Sequence, residues 1–361
     1  MRPQTHREEL AAFFRLPPQA EINYPSPVMT SNQDFRSVEL CAGAGGQALG
    51  LERAGFAHES AIEIDEWAHK TLLLNRPEWN PERSDVRDVR GRRFKGIDLL
   101  AGGVPCPPFS IAGRQLGNQD ERDLFPAAIE WISESAPKAV LLENVPGLAS
   151  PKFGPYRERL FSQLKKLGFP YVEGCILNAS DYGVCQLRPR YLIIALRSPF
   201  AAHFHWPEPR ESCSSVGELL YDLMSAGGWR GAQRWRTKAD RIAPTLVGGS
   251  KLHGGPDLGP TRSKRAWLEL GVDGKGVANE APGPTAGQRH VPKLTVRMTA
   301  RIQGFPDEWK FAGKKTAAYR QIGNAFPPPV AQAVGFSLIA ALRKRALIVP
   351  VQEELSSLAA G

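Results

Sequence analysis

Cysteine is sparse and scattered in this 361-residue chain: Cys41, Cys106, Cys175, Cys185 and Cys213 make an odd number with no C-x-x-C pair. That argues against both a disulfide framework and a zinc site, and no metal is expected. The opening residues, MRPQTHREEL, lack an apolar core, so a secretory leader is not expected there. Long apolar runs are also missing. The best candidate, VAQAVGFSLIAALRKRALIV, is interrupted by Gln332, Ser337 and a basic cluster and makes a poor membrane span. Internal repeats are absent. These absences predict a cytoplasmic protein with no membrane partner.

What is present is enough apolar residue, 42%, to bury a full core and support one large domain with a smaller one. The formal net charge is +9 and the sequence pI about 9.4, which favours a polyanionic partner such as nucleic acid. Charge alone does not separate such a partner from an ordinary basic surface.

From residue 36 short apolar runs (AIEID, GIDLLAGG, KAVLLENV, RYLIIALR) alternate with longer amphipathic ones (EWAHKTLLLN, LFPAAIEWISES, PYRERLFSQLKKLG). That alternation predicts βαβ units and a mostly parallel, doubly wound α/β sheet. It stops near residue 200. The expected organisation is a leader at 1–35 with a short helical pattern (REELAAFFRL), a catalytic domain at 36–199, and an irregular second domain at 200–318. A return segment at 319–345, helical after three prolines and packed back on the first domain, and a tail at 346–361 complete it.

Four stretches carry chemistry. In ELCAGAGGQALG, Gly43, Gly45 and Gly46 sit between a strand and a helix, where missing side chains admit a ligand to the backbone and the helix N-terminus. With Glu63 ending the next strand, the spacing also fits a dinucleotide fingerprint loosely, so glycines alone leave NAD and S-adenosylmethionine open. GGVPCPPFS holds Cys106 among residues that forbid a helix, as a positioned nucleophile requires, and a loop after a parallel strand near arginines favours its thiolate. Glu143 ends the apolar run AVLL, where burial would raise its pKa toward useful proton donation. Gln186, Arg188 and Arg190 alternate at the start of a strand and so share a face.

In this order, with RIAPTL, RIQGFPDEW and YRQIGNAFPPP, these segments from Val38 to Val334 resemble the DNA cytosine C5-methyltransferases. The resemblance implies a Rossmann-like S-adenosylmethionine-dependent methyltransferase domain with a smaller target-recognition domain. It assigns Cys106 as the nucleophile that adds to carbon 6 of cytosine, Glu143 as the acid at N3, Arg188 to the base, and Arg190 to the acid and phosphate. It places Cys41, Ala42, Gly43, Gly45, Gly46, Glu63, Ile64, Asp85, Val86, Leu124, Asn324 and Ala325 around the cofactor, with Glu63 at the ribose and Asp85 near the adenine amine. Gln186, Arg234, Arg236, Arg241, Thr245, Lys251 and Arg262 are implied DNA contacts, with Lys238, Lys264 and Arg265 further candidates. The implied partner is double-stranded DNA, bound by a monomer that works beside a separate restriction endonuclease.

The chain departs from the family pattern at Cys41 (usually Phe), Ile64 (usually Trp), Pro107 (usually Gln) and Val104 (often Pro). Alternatives on the same fold are a catalytically silent, sequence-specific DNA-binding protein and an RNA cytosine-5 methyltransferase.

Overall fold

The computed structural model describes residues 35–105, 123–209, 213–249 and 255–344. The leader pattern, Cys106, Pro107, Lys251 and the tail lie outside these residues.

The chain enters a seven-stranded sheet through β1 (Phe35–Leu40), and the glycine turn leads into α1 (Gly46–Ala54). There follow β2 (Phe56–Ile62), α2 (Glu66–Asn75), β3 (Pro81–Glu82), β4 (Leu99–Gly102), α3 (Phe125–Ser135), β5 (Ala139–Asn144), α4 (Gly154–Lys166) and β6 (Tyr171–Asn178). A two-residue strand, β7 (Gln186–Leu187), precedes β8 (Pro189–Leu196). The sheet order is β3-β2-β1-β4-β5-β8-β6; its pairings are parallel except that β8 runs antiparallel to both neighbours. The expected mostly parallel, doubly wound sheet is present.

β5 and β8 read as almost unbroken apolar runs because both of their faces are covered, as central strands of such sheets require. On one face, Val38, Leu40, Leu100, Val140 and Leu142 pack with Phe125, Trp131, Leu160 and Leu164 of α3 and α4. On the other, Leu99, Ala101 and Leu141 meet Leu51 of α1 and Val330, Val334 and Leu338 of the last helix.

The stretch expected to be irregular carries short helices: α5 (Val216–Ser225), α6 (Ala232–Lys238), α7 (Thr261–Glu269) and α8 (Val296–Ile302), with β9 (Ala243–Pro244) between α6 and α7. Each helix buries few side chains, and large aromatics supply much of the anchoring: Trp235 from α6 and Trp267 from α7 join Trp229 and Trp309 in one core. That core also contains Ala42, Ala44 and Leu49, so it reaches the glycine turn. β9 pairs in parallel with β7, matching Gln186 to Ala243.

The chain returns through α9 (Lys315–Asn324) and α10 (Pro328–Leu342). α10 begins within the three prolines rather than after them, since proline suits a helix's first turn, where its missing N–H has no partner to lose. The α9–α10 stretch is long and apolar enough by composition to cross a membrane, but 89% of its apolar window is buried inside the fold.

Candidate active site

A cavity of about 460 Å³ opens at the C-terminal ends of β1, β2, β4 and β5, where parallel sheets of this kind present their ligand crevices. Its walls come from the glycine turn, the end of β2, the strand ends at Gly103 and Glu143, and the α9–α10 junction.

The glycine turn divides its labour. Gly43, at φ +56°, has open space where a side chain would stand, and its N–H donates to Glu63 Oε2 at 2.7 Å. Gly45 differs: at φ +82° it faces the core, where a Cβ would lie 2.8 Å from Leu72 and close to Trp79 and Trp309. Its glycine is needed for turn geometry and packing, and it does not line the cavity; the expectation of a ligand approach there is corrected. Gly46 lines the wall and packs tightly beneath the Phe326 carbonyl.

The other expected cofactor positions, Cys41, Ala42, Glu63, Ile64, Asp85, Val86, Leu124, Asn324 and Ala325, all line this cavity. Glu63 braces the turn from both sides, its second oxygen accepting from the Asp65 N–H at 2.6 Å. Asp85 is gripped by Arg87, whose hydrogen bonds hold its carboxyl below the usual carboxylate range. Asn324 donates to the Gly249 carbonyl. Cys41 adopts a left-handed φ of 53°, and burial pushes its thiol up, helped by Glu63, Asp85 and Glu39.

Glu143 ends β5 at the cavity wall. Its Oε1 meets Arg190 Nε at 2.8 Å, both side chains being about nine-tenths buried at 13% and 12% exposure. Burial raises the Glu143 pKa, opposed by Arg190 and then by Arg188. The next residue, Asn144, donates to the Val104 carbonyl at 2.8 Å, tying β5 to the loop that leads to Cys106. Pro105 and Leu124, the described residues on either side of that loop, both line the cavity, and the Leu124 N–H donates to the Pro105 carbonyl at 3.1 Å. Cys106 thus follows a cavity-lining residue by one peptide bond.

Burial changes the reading of two neighbours. Arg188 is fully buried, and its guanidinium donates to the carbonyls of Leu246 at 2.8 Å, Gly323 at 2.7 Å and Ala325 at 3.0 Å. It does not line the cavity, so the expected contact with a base is corrected to a brace holding the return segment against the β7–β9 region. Gln186 is equally buried: its oxygen accepts from the Leu246 N–H and its nitrogen donates to Gln303, which corrects the expectation of a DNA contact. Alternation along the strand gave both a shared direction but no measure of what would cover them.

Of the remaining expected DNA contacts, Arg234, Arg241 and Arg262 are exposed, and Arg236 is half-buried over the Tyr221 ring. Arg241 lies 3.8 Å from Glu269, an exposed pair of small energetic weight. The Thr245 hydroxyl donates to the Leu187 carbonyl and so joins β9 to β7. Lys238 and Arg265 are exposed, and Lys264 pairs with Asp257 at 2.8 Å.

Sequence reasoning missed Glu39, Gln47, Asp65 and Arg320 at the wall. The first was visible as an acid inside the apolar run SVELCAG. Five carboxyl groups (Glu39, Glu63, Asp65, Asp85, Glu143) and one guanidinium (Arg320) line the cavity among the described residues, a set that favours a cationic ligand. Glu39 Oε2 and both amide atoms of Gln47 are buried with no hydrogen-bond partner. Each such group costs roughly 1–3 kcal/mol when left without a partner.

A family model described as C-5 cytosine-specific DNA methylase matches residues 35–340. The Type II methyltransferase M.NaeI of Lentzea aerocolonigenes is 54% identical over 86% of this chain and 76% of its own. M.NgoMIV of Neisseria gonorrhoeae, also a Type II methyltransferase, is 55% identical over 86% of this chain and 99% of its own. A solved structure of a Spodoptera frugiperda DNMT2 mutant shares the fold at a TM-score of 0.61 and 18% identity, over 84% of this chain and 99% of that one.

Proposed function

The chain belongs to the C-5 cytosine-specific DNA methylase family, and from that membership we propose that its cavity holds S-adenosylmethionine beside a cytosine swung out of duplex DNA. The enzyme is a DNA cytosine-5 methyltransferase. The observation that carries the site reading is Glu143: a buried carboxyl with a raised pKa, bridged to Arg190, lining the same cavity as Pro105.

The residues fit the donor. The open face of Gly43 admits a ligand to the backbone, and the acidic lining suits a sulfonium. When bound, S-adenosylmethionine supplies an electrophilic methyl group. The protein's part is to make carbon 5 of the base nucleophilic. Each of the four described cysteines has its pKa raised by burial, which holds it neutral and supports assigning the nucleophile to Cys106. Addition of its thiolate at carbon 6 places charge in the ring, Glu143 donates a proton at N3, and carbon 5 becomes enamine-like. Loss of the carbon 5 proton after methylation expels the sulfur as thiolate, and return of the N3 proton to Glu143 restores the ring. Arg190, bonded to Glu143, keeps that carboxyl oriented.

Extruding the base costs a few kcal/mol in stacking and pairing. We assign the holding of the opened duplex to the 200–318 region, where Arg234, Arg241 and Arg262 are suited to phosphates. The Type II relatives support a modification role in a restriction–modification system, and our reading adds a cytoplasmic monomer that acts beside a separate endonuclease. Bisulfite sequencing of DNA from cells expressing the gene tests this: 5-methylcytosine at one position of one short recurring sequence is expected. Unmodified DNA, with methyl transfer to RNA instead, would overturn it.

A further inference from the structure

Arginine is concentrated on two patches of the surface, and the two differ. Between β3 and β4, Arg83, Arg87, Arg90 and Arg93 each stand beside a carboxyl group, those of Glu66, Asp85, Glu130 and Glu82. Where the start of α6 meets a turn at 287–290, Arg230, Arg234 and Arg289 are exposed, and among the described residues their guanidinium groups make no ion pair or hydrogen bond. The first patch is neutralised by the protein itself. The second keeps its charge for a polyanion.

The turn is also held rigid. Residues 279–294 form neither helix nor strand, a length that in a compact domain usually serves a function. Trp229, only 3% exposed, pins them from beneath: its Nε1 donates to the Gly287 carbonyl at 3.0 Å, and its ring meets that of His290 edge-on. A Cβ on Gly231 would lie 2.7 Å from the Gln288 carbonyl, so the two segments touch through backbone. The His290 N–H closes the turn on the Gly287 carbonyl at 2.9 Å. Gln288, Arg289 and His290 stand exposed on it.

Taking the recognition region as the part that holds the duplex, we propose that the 287–290 turn reads bases. Arg289 and Gln288 are its specificity-determining residues, and Arg230 and Arg234 hold flanking phosphates. A turn whose ends lie under about 7 Å apart fits a major groove about 12 Å wide. The guanidinium fork of Arg289 matches the O6 and N7 acceptors of a guanine, and the Gln288 amide matches N6 and N7 of an adenine. Because Trp229 fixes the turn beforehand, docking orders little further chain.

The test is methylation by the full-length protein of duplexes carrying the wild-type target, as found by bisulfite sequencing, and of each single-base-pair variant of it. Arg289→Lys keeps the charge and loses the fork. It lowers discrimination at one guanine of the target by roughly 10- to 100-fold, the worth of a bidentate pair, while discrimination elsewhere and the salt dependence of duplex binding are unchanged. Gln288→Ala relaxes a different position. Arg230→Ala weakens binding to all sequences alike and flattens the salt dependence. Affinity for S-adenosylhomocysteine stays within about threefold in every variant, which reports an intact fold. Full wild-type discrimination in both Arg289→Lys and Arg289→Ala overturns the proposal, as does an equal loss on every sequence, which would make Arg289 a phosphate contact. A wild type that methylates cytosines without regard to sequence overturns the reading of the recognition region itself.

Discussion

The cavity and the outer helices of the 213–311 region belong to one basic chain yet carry opposite charge: five carboxyl groups line the former, while Arg234, Arg241, Arg262 and Arg265 stand exposed on the latter. In the cavity the carboxyls of Glu39 and Glu143 have their pKa values raised by burial, whereas Asp85 is lowered by its hydrogen bonds to Arg87. Outside, Arg234, Arg241, Arg262 and Arg265 are solvated, and the pair of Arg241 with Glu269 is long at 3.8 Å. The net charge of +9 therefore describes the surface that meets a polyanion and says nothing of the pocket, whose acidity suits a cationic donor. Substitutions in the two regions should act on different observables.

The largest effect is expected at Glu143. Glu143→Gln should lower kcat by roughly 10²–10⁴-fold, the usual contribution of a positioned acid, with little change in duplex affinity. Single-turnover methylation beside a DNA-binding titration measures both, and an equal loss in binding would place Glu143 in duplex recognition instead.

Next comes the brace. Arg188→Ala should destabilise the fold by roughly 3 kcal/mol or more, because three carbonyls lose a charged donor in a buried site. A lower urea midpoint at unchanged slope is the expected signature. Arg190→Ala, at the cavity wall, should move turnover more than the midpoint.

His58 offers a comparable effect tuned by pH. Its ring bridges Ser37 on β1 and the Ala48 carbonyl on α1, and burial lowers its pKa to about 4. The unfolded ring takes up a proton near pH 6.5 that the folded ring refuses, so stability is full above about 6.5 and declines as pH falls toward about 4. Integrated over that window the loss is about 3 kcal/mol. Denaturant titrations at several pH values should show this slope in the wild type and a flatter one in His58→Gln.

The smallest effects belong outside. Arg234→Ala and Arg262→Ala should each reduce the slope of log K against log salt for duplex binding by about 0.9 per lost phosphate contact and leave donor affinity alone. An unchanged slope would return these residues to ordinary solvated surface.

Much of the sheet was legible because buried parallel strands must be apolar on both faces, as AVLL and YLIIAL are. The expected helix EWAHKTLLLN coincides with α2, whose start is set by Asp65 capping the Trp67 and Ala68 N–H groups. β6 escaped because YVEGCILN, at the sheet edge, mixes glycine, glutamate and half-exposed positions and shows no clean period. Among the helices of the 213–311 region, α6 and α7 escaped because each leans on a single tryptophan, which no periodicity reports, whereas α5 carries Val216, Leu220 and Met224 at helical spacing and was passed over. Motif spacing located most of the cavity wall, but it emphasises small and catalytic residues. It therefore passed over Glu39 and Gln47, which line the same cavity. It also could not tell Arg188 from Arg190, because alternation fixes direction and depth comes from the return segment far along the chain.

The most direct measurement is mass spectrometry of the enzyme incubated with S-adenosylmethionine and a duplex carrying 5-fluorocytosine at the methylated position. Fluorine at carbon 5 cannot leave as the proton does, so the sulfur stays bonded to carbon 6. The account predicts a stable protein–DNA adduct whose modified peptide contains Cys106, bearing one transferred methyl. Methyl transfer to the unmodified duplex with no adduct on the fluorinated one, or an adduct mapped to another residue, would contradict it.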